Sequence, residues 1–423
     1  MCSSFQEVAL IIYYRKPNRY SFNALVGALE TTPKLGKLDV YFLTEKDNII
    51  EKLDILARKY GKVVFTCSLM SSQVFETAEI IKKIKSKLDS RKIILVAGGP
   101  HPTGDPLGTL NLGFDIVFRG ESEETFIEFM EKIIANDDWK FIRGISYFEN
   151  SKLVSNLPAR PVDINNFPPF SVKYKKFGPI EITRGCPFVC KFCQTPFIFG
   201  VKPRHRSVSA VCKYVKMMLK ENKTDIRFIS PNAFAYGSSD GRQINIEALE
   251  NLLKSIREVI GNKGRIFFGT FPSEVRPEFV IPETVELVKR YCNNDNLVIG
   301  GQTGSERMLK FIHRGHSVED IYKAVEITIK LGLKANVDFI FGLPGETEED
   351  KIQTLDVIKD LTKMGARIHA HTFIPLVGTP FGSMKPGKID EKTRREIQRL
   401  ISGGKLYGEW EKQEHIAMAT KRS

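Results

Sequence analysis

The chain has 423 residues, 42% of them hydrophobic, which by length and composition predicts two domains with large cores. No apolar run reaches the roughly 18–20 residues that a bilayer span needs, and residues 1–7 lack a basic segment followed by an apolar stretch, so neither a membrane span nor a secretory leader is expected. Seven cysteines, three of them tightly clustered, argue against a disulfide scaffold and for metal chemistry in the reducing cytoplasm, while the +13 formal charge is spread over helical patterns such as Lys82, Lys83, Lys85 and Lys87 and does not predict a nucleic-acid partner.

Residues 8–135 alternate between two periodicities. Short apolar, β-branched runs occur at Val8–Tyr14, Leu38–Leu43, Val63–Thr66, Ile93–Ala97 and Asp115–Phe118. None alternates cleanly, as expected of strands buried on both faces. Between them lie helical patterns. In Ser72–Leu88, Val74, Ala78, Ile81, Ile84 and Leu88 share one face and lysines the other. Strand and helix in alternation predict an α/β fold with a doubly wound parallel sheet, Rossmann-like, over residues 1–140. Ligands in such sheets sit beyond the carboxyl ends of the strands.

Residues 141–178 break the pattern. Ile142–Phe148 and Lys152–Ser155 read as a hairpin, and Pro158, Pro161, Pro168, Pro169 and Pro179 as an extended linker. Alternation then resumes over 179–385, with strands expected at Ile180–Thr183, Ile226–Ser230, Arg265–Thr270, Leu297–Gly301, Ala335–Phe341 and Ile368–Ile374. One helix starts at Ser317 with Asp320 three residues on, another near Thr347 with Asp350; both pairs have capping-box spacing. Six βα units predict a partial (β/α)6 barrel with its chemistry at the carboxyl ends of the strands. Residues 386–423 read as a helical extension, with one helix over Glu391–Trp410.

The segment Arg184-Gly185-Cys186-Pro187-Phe188-Val189-Cys190-Lys191-Phe192-Cys193 holds three thiols within eight residues, just past a strand. Three thiolates can wrap one face of a cubane cluster and leave its fourth iron open. A structural zinc or a closed electron-transfer cluster normally takes four protein ligands. The next cysteine, Cys212, falls in a helical pattern and reads as core. A zinc loop completed by a distant histidine such as His205 is the alternative. The basic stretch Lys202–Arg206 that follows reads as a solvated loop, or else as a contact for an anionic ligand through Arg204 and Arg206.

This Cys-x3-Cys-x2-Cys spacing, with Phe192 before the last cysteine, resembles the radical S-adenosylmethionine superfamily. Further segments match in order: Phe228–Phe234, Gly300-Gly301-Gln302-Thr303-Gly304-Ser305, Val337–Thr347 and His371–Leu376 with Gly378-Thr379-Pro380. The resemblance spans about residues 180–382. It implies a [4Fe–4S] cluster on Cys186, Cys190 and Cys193 whose open iron chelates S-adenosylmethionine, and an external low-potential electron donor. It also implies S-adenosylmethionine contacts from Ser230, Asn232, Gln302, Ser305, Ile340, Gly342 and Pro344. Two positions depart from the family. The usual acidic residue after the second strand is missing, with Ser230 and Asn232 as substitutes, and Gln302 stands where glutamate is common.

In the first domain, small residues follow the strands: Ser68, Ser71 and Ser72, then Gly98-Gly99-Pro100-His101, then Gly120-Glu121-Ser122. No Gly-x-Gly-x-x-Gly follows the first strand, which argues against a dinucleotide. Gly98–Pro106 and Phe114–Glu121 resemble the cobalamin-binding domain that precedes many radical S-adenosylmethionine enzymes. The resemblance implies cobalamin held by Ser68, Ser71, Gly98, Gly99, Pro100, Gly120 and Glu121. The Asp-x-His-x-x-Gly signature of other cobalamin proteins is absent, so His101 is not expected to ligate cobalt.

Together these resemblances imply an enzyme that cleaves S-adenosylmethionine to a 5′-deoxyadenosyl radical and methylates an unactivated carbon of a small-molecule or peptide substrate. Radical cyclisation or rearrangement without methyl transfer is the alternative. RNA methylthiolation is a third reading, but that family carries three further cysteines before the radical motif, where this chain has only Cys2 and Cys67.

Overall fold

A computed structural model describes residues 7–419; Cys2 and the rest of the first six residues lie outside it. The chain forms two compact units, Met1–Gly178 and Pro179–Ser423.

The first unit runs β1 (Val8–Tyr13), α1 (Arg19–Glu30), β2 (Asp39–Leu43), α2 (Ile49–Lys59), β3 (Lys62–Ser68), α3 (Val74–Lys87), β4 (Ile93–Gly98), α4 (Pro100–Gly104), α5 (Pro106–Asn111), β5 (Ile116–Phe118), α6 (Glu123–Ala135), β6 (Ile145–Glu149) and β7 (Lys152–Ser155). Its seven strands form one sheet in the order β2-β1-β3-β4-β5-β6-β7. The first five are parallel. Successive residues of β1 serve opposite faces: Ala9, Ile11 and Tyr13 enter one core with α2 and α3, and Val8, Leu10 and Ile12 enter the other with α1 and α6. Side chains alternate across a strand, so a strand buried on both faces must read as an unbroken apolar run.

The hairpin and the proline-rich segment differ from a free linker. Strand β6 pairs antiparallel with β5 and extends the sheet. Phe170 is fully buried, and a Cβ on Gly27 of α1 would lie 2.6 Å from the Phe170 carbonyl oxygen. Prolines mark an irregular backbone here, but the apolar side chains between them, Val162, Ile164 and Phe170, are buried.

The second unit continues with β8 (Ile180–Glu181), β9 (Thr183–Arg184), α7 (Thr195–Phe199), β10 (Arg204–His205), α8 (Val208–Lys220), β11 (Asp225–Ile229), α9 (Ile246–Ile260), β12 (Arg265–Phe267), α10 (Pro282–Tyr291), β13 (Asn296–Gln302), α11 (Glu306–Phe311), α12 (Val318–Lys330), β14 (Lys334–Phe341), α13 (Glu348–Met364), β15 (Arg367–Thr372), α14 (Glu391–Ser402), β16 (Leu406–Tyr407) and α15 (Trp410–Ala419). Its parallel strands are ordered β12-β11-β8 and β13-β14-β15-β16. The segment after β12 joins the two groups, because the Val275 N–H donates to the Val298 carbonyl (2.9 Å) and the Gly300 N–H to the Val275 carbonyl (2.9 Å). This is the expected partial barrel with one strand more. The single C-terminal helix is instead α14, then β16 paired parallel with β15, then α15. Gly403 and Gly404 end α14, Gly404 with φ +67°. The basic stretch also differs from a solvated loop: Arg204 and His205 pair with β9, and Arg206 is buried, donating from Nε to the Glu181 carbonyl at 2.9 Å.

Both expected capping boxes are present, at Ser317 with Asp320 and at Thr347 with Asp350. Asp350 does more than cap. Its carboxylate also accepts from the Ser305 hydroxyl (2.5 Å) and from the Arg307 guanidinium, tying α11 to α13. Burial opposes its charge, yet these donors hold its pKa far below the usual carboxylate range. Asp350→Ala is expected to cost about 3 kcal/mol, measured as a lowered urea midpoint at neutral pH. The contribution of Asp350 is present above pH 4 or so and fades as acid titrates a group whose folded pKa is depressed, so the difference between wild type and variant narrows on acidification.

Candidate functional site

The cysteine loop leaves β9 at Gly185, whose φ of +92° and 2.4 Å approach of a notional Cβ to the Lys202 carbonyl admit only glycine. Main-chain bonds pin the loop: Cys186 N–H to Gly200 O, Lys191 N–H to Ile312 O and Cys193 N–H to Cys190 O, each 3.0–3.1 Å. Val189 sits at φ +50°, a left-handed conformation costly for a β-branched residue. The strain is held by those bonds and turns Cys186, Cys190 and Cys193 to the same cavity.

That cavity, about 310 Å³, is lined by all three cysteines and by Ser230 and Gln302. Gln302 ends β13 at φ +74°, after an irregular register at Gly300. Asn232, just beyond the wall, accepts the Arg276 N–H on Oδ1 (3.3 Å), and its Nδ2 is buried without a partner. Ser230 is tied to Asn232: its hydroxyl donates to the Asn232 carbonyl (2.9 Å) and accepts the Asn232 N–H (3.3 Å).

The other expected S-adenosylmethionine contacts lie elsewhere. Ser305 is buried as the N-cap of α11, its hydroxyl already engaged. Ile340 packs beside Met308, Leu343 and Phe373. Gly342, at φ +71°, backs onto Gly387, whose N–H donates to its carbonyl (2.8 Å). Pro344 lines a separate cleft of about 350 Å³ with Glu346, Lys351 and Met384.

Several wall residues carry no signal in local sequence: Glu274, Arg276, Arg314 and Asp338. Arg314 Nη1 donates toward Cys190 Sγ (3.7 Å) and Nη2 to the Gly300 carbonyl (2.8 Å). A Cβ on Gly300 would lie 2.6 Å from that Nη2, so a side chain there would push the guanidinium from its place. Arg276 stacks 3.4 Å over the Phe188 ring, donates to Glu278 (2.6 Å) and the Arg314 carbonyl, and keeps Nη1 buried without a partner. Burial and the Arg314 charge lower the Arg276 pKa to about 10. Burial likewise raises the Cys186 and Cys193 thiols. For Arg314 burial works against the charge, but Cys190 and Glu278 hold its pKa above the usual value. Glu278 balances one of the two guanidiniums; the second, set against three sulfurs, is costly unless the sulfurs are anionic. The donor set fits a thiolate-held cluster: three thiolates supply the negative charge, and the orphaned Arg276 Nη1 awaits an acceptor.

Asp338, His369 and His371 also converge, with Asp338 Oδ1 3.0 Å from His369 Nδ1 and 3.7 Å from His371 Nε2, a grouping that could hold a metal ion. Gln413 decides against that. Its Oε1 accepts the Thr372 N–H (2.8 Å), so its amide NH2 faces His371 Nδ1 (3.3 Å) and the imidazole proton lies on Nε2. A metal ligand would need the opposite tautomer. The trio is a carboxylate faced by two imidazoles, with His371 Nε2 also 3.1 Å from His369 Nδ1, and together the rings lower the Asp338 pKa against its burial.

In the first unit, Ser68, Gly98 and Gly120 lie at or just past the carboxyl ends of β3, β4 and β5. Gly99, at φ +96°, places a notional Cβ 2.7 Å from Ser68 Oγ, and that hydroxyl is buried without a partner. Ser71 Oγ lies 3.0 Å from Nδ1 of the buried His101, whose pKa burial lowers, so the ring is neutral and turned inward. Pro100 opens α4, and the Gly120 N–H donates to Thr103 Oγ1 (3.0 Å). Glu121 is buried and accepts the Val162 N–H (3.3 Å), so it faces the returning segment. An orphaned hydroxyl beside a glycine cradle fits a large ligand that approaches the backbone.

Residues 180–358 match the model of the radical SAM superfamily, and residues 38–130 that of the B12 binding domain. The chain is a radical SAM protein with a B12-binding domain. It is accordingly an enzyme whose domains are those for a [4Fe–4S] cluster, S-adenosylmethionine and cobalamin. It is 28% identical to an uncharacterised methyltransferase of Pyrococcus horikoshii, over 84% of this chain and 79% of that one. It is 27% identical to the tRNA-2-methylthio-N(6)-dimethylallyladenosine synthase of Lachnoclostridium phytofermentans, over 91% and 79%. Its fold is similar to that of the radical S-adenosylmethionine methyltransferase TsrM from Kitasatospora setae, solved with cobalamin and a [4Fe–4S] cluster bound (TM-score 0.68, 17% identity, 89% of this chain and 74% of that one). The cobalamin-dependent S-adenosylmethionine radical enzyme OxsB is similar too (TM-score 0.63, 17% identity, 94% and 55%). Among the described residues no helix is long and apolar enough to cross a membrane.

Replacing Cys186, Cys190 and Cys193 together by alanine is expected to remove all of about four irons per chain after anaerobic reconstitution, measured by iron and sulfide analysis. The same substitution should leave corrinoid binding within about twofold, because the expected corrinoid contacts belong to the other domain.

Proposed function

We propose that this enzyme methylates an unactivated carbon of a small-molecule or peptide substrate. When bound, the cluster with S-adenosylmethionine supplies a 5′-deoxyadenosyl radical, and cobalamin a transferable methyl group. The observation that carries the reading is the cavity in which Cys186, Cys190 and Cys193 meet Arg276 and Arg314. Its charge balance suits three thiolates and leaves donors for a further ligand. Methyl transfer is supported by the likeness to methyltransferases and by the orphaned Ser68 hydroxyl beside Gly99 in the B12-binding domain. In this reading Cys186, Cys190 and Cys193 hold the cluster, Gln302 reaches the ribose side of S-adenosylmethionine, and Ser68, Gly98, Gly99 and Gly120 shape the corrinoid cradle.

The likeness to a tRNA methylthiotransferase favours a second reading, transfer of a methylthio group. That chemistry calls for a second cluster. Among the described residues before Pro179 the one cysteine is Cys67, buried within β3, where burial raises its thiol well above the usual value. Such a thiol is a poor cluster ligand.

Protein purified anaerobically from a host supplied with iron and cobalamin is expected to carry about four irons and one corrinoid per chain. Incubated with reductant, S-adenosylmethionine and a cell extract, it should yield a product one methyl group heavier than its precursor, detected by mass spectrometry with methyl-labelled S-adenosylmethionine. About eight irons and a product heavier by a methylthio group would instead support the second reading.

A further inference from the structure

The polar groups on the cavity wall pair off almost completely. Arg184 donates twice to Glu181, at 2.9 and 2.7 Å. Asp338 has two imidazoles, and Arg314 is engaged by Cys190, the Gly300 carbonyl and His316. Two groups remain. Arg276 Nη1 is buried without a partner. The Glu274 carboxyl is set back in the wall, and its own backbone N–H is the one donor that supports it.

These two groups have opposite sign and lie two residues apart on an extended segment. Val275 between them is buried, and its main chain bridges to β13 on both sides. Arg276 has φ −83° and ψ 143°. Side chains two apart on such a segment point the same way, and both line the cavity that receives the cysteines. A carboxyl acceptor beside a guanidinium donor matches the head of an α-amino acid, which carries an amino group and a carboxylate on one carbon.

We propose that Glu274 and Arg276 form a two-charge clamp for the amino-acid end of S-adenosylmethionine, Glu274 taking the amino group and Arg276 the carboxylate. The proposal rests on the reading of this cavity as the S-adenosylmethionine site. It also accounts for the acidic residue missing after the second strand of the barrel. Ser230 is spent on Asn232, and Asn232 Oδ1 accepts the Arg276 N–H, so the region after β11 positions the clamp and the segment after β12 supplies the charge.

Burial and the Asp338 charge push the Glu274 pKa up to about 7, with His371 and His369 pulling the other way. An amino group that settles against Glu274 favours the carboxylate, so near pH 7 Glu274 adds a fraction of a proton to the one the amino group gives up on ligating iron.

The test uses cluster-reconstituted full-length protein, titrated anaerobically by calorimetry with S-adenosylmethionine and with 5′-methylthioadenosine, which lacks the amino-acid end. Glu274→Gln and Arg276→Lys are each expected to weaken S-adenosylmethionine about tenfold or more and to leave 5′-methylthioadenosine within about twofold, at unchanged iron content. Near pH 7 wild type should release a fraction of a proton more on binding S-adenosylmethionine than Glu274→Gln does, read from the dependence of the heat on buffer ionisation. If Arg276→Lys fails to fold, Glu274→Gln carries the test alone. Equal weakening of both ligands by Glu274→Gln, or weakening of neither, overturns the clamp. Wild-type protein with a full cluster that binds neither ligand would overturn the reading of the cavity, and the clamp with it.

Discussion

In the proposed reading the barrel unit is organised around one electrostatic constraint: three sulfurs must be held as anions in a half-buried pocket while one position of their metal stays open. Burial alone pushes thiols toward neutrality, as it does for Cys186 and Cys193. The counterweight comes from Arg314 beside Cys190 and from Arg276 packed on Phe188. Glu278 pairs with Arg276, and the second positive charge could not be set there cheaply without a further anionic partner. Cysteine loop and arginines therefore make each other tolerable, and the strained Val189, the glycine-only Gly185 and the small Gly300 bring them together.

The rest of the unit fixes the positions of these groups. The segment carrying Glu274 and Arg276 is bridged into β13 through Val275, so the wall residues are placed by sheet hydrogen bonding. Asp350 clasps α11 to α13 and leaves Ser305 with a structural task. Gln413 on α15 sets the tautomer of His371, which together with His369 keeps Asp338 ionised. The C-terminal extension thus acts on the cavity through β15. In the other unit, both faces of the sheet are packed into apolar cores, and the small residues beyond its carboxyl ends leave room for a large ligand.

What could be read in advance was whatever is encoded within a few neighbouring residues. The cysteine spacing, the two capping boxes and the unbroken apolar strands are local patterns, and each appears where the sequence predicts it. Glu274, Arg276, Arg314 and Asp338 could not be found that way, because three separate segments bring them to one wall and none carries a spacing of its own. The Asp338–His369–His371 trio is likewise assembled across β14 and β15. Strand β16 escaped because two residues leave no periodicity, and Gly403-Gly404 were the one sign that the helix stops. Counting prolines mistook a packed segment for a linker, since the burial of Val162, Ile164 and Phe170 depends on partners distant in sequence. Ser305 shows the converse error: its place in a family segment was legible, but its engagement by Asp350 was not.

The central claim is that three cysteines and two arginines hold a cluster whose remaining iron is open to S-adenosylmethionine. The most direct measurement is the electron paramagnetic resonance spectrum of the dithionite-reduced protein with and without S-adenosylmethionine, using an isotope-labelled amino nitrogen to detect coupling to the cluster. The account predicts a changed cluster signal and a coupling from the labelled nitrogen. A full cluster whose signal is indifferent to S-adenosylmethionine and shows no coupling would mean that the fourth iron is closed, and would contradict it.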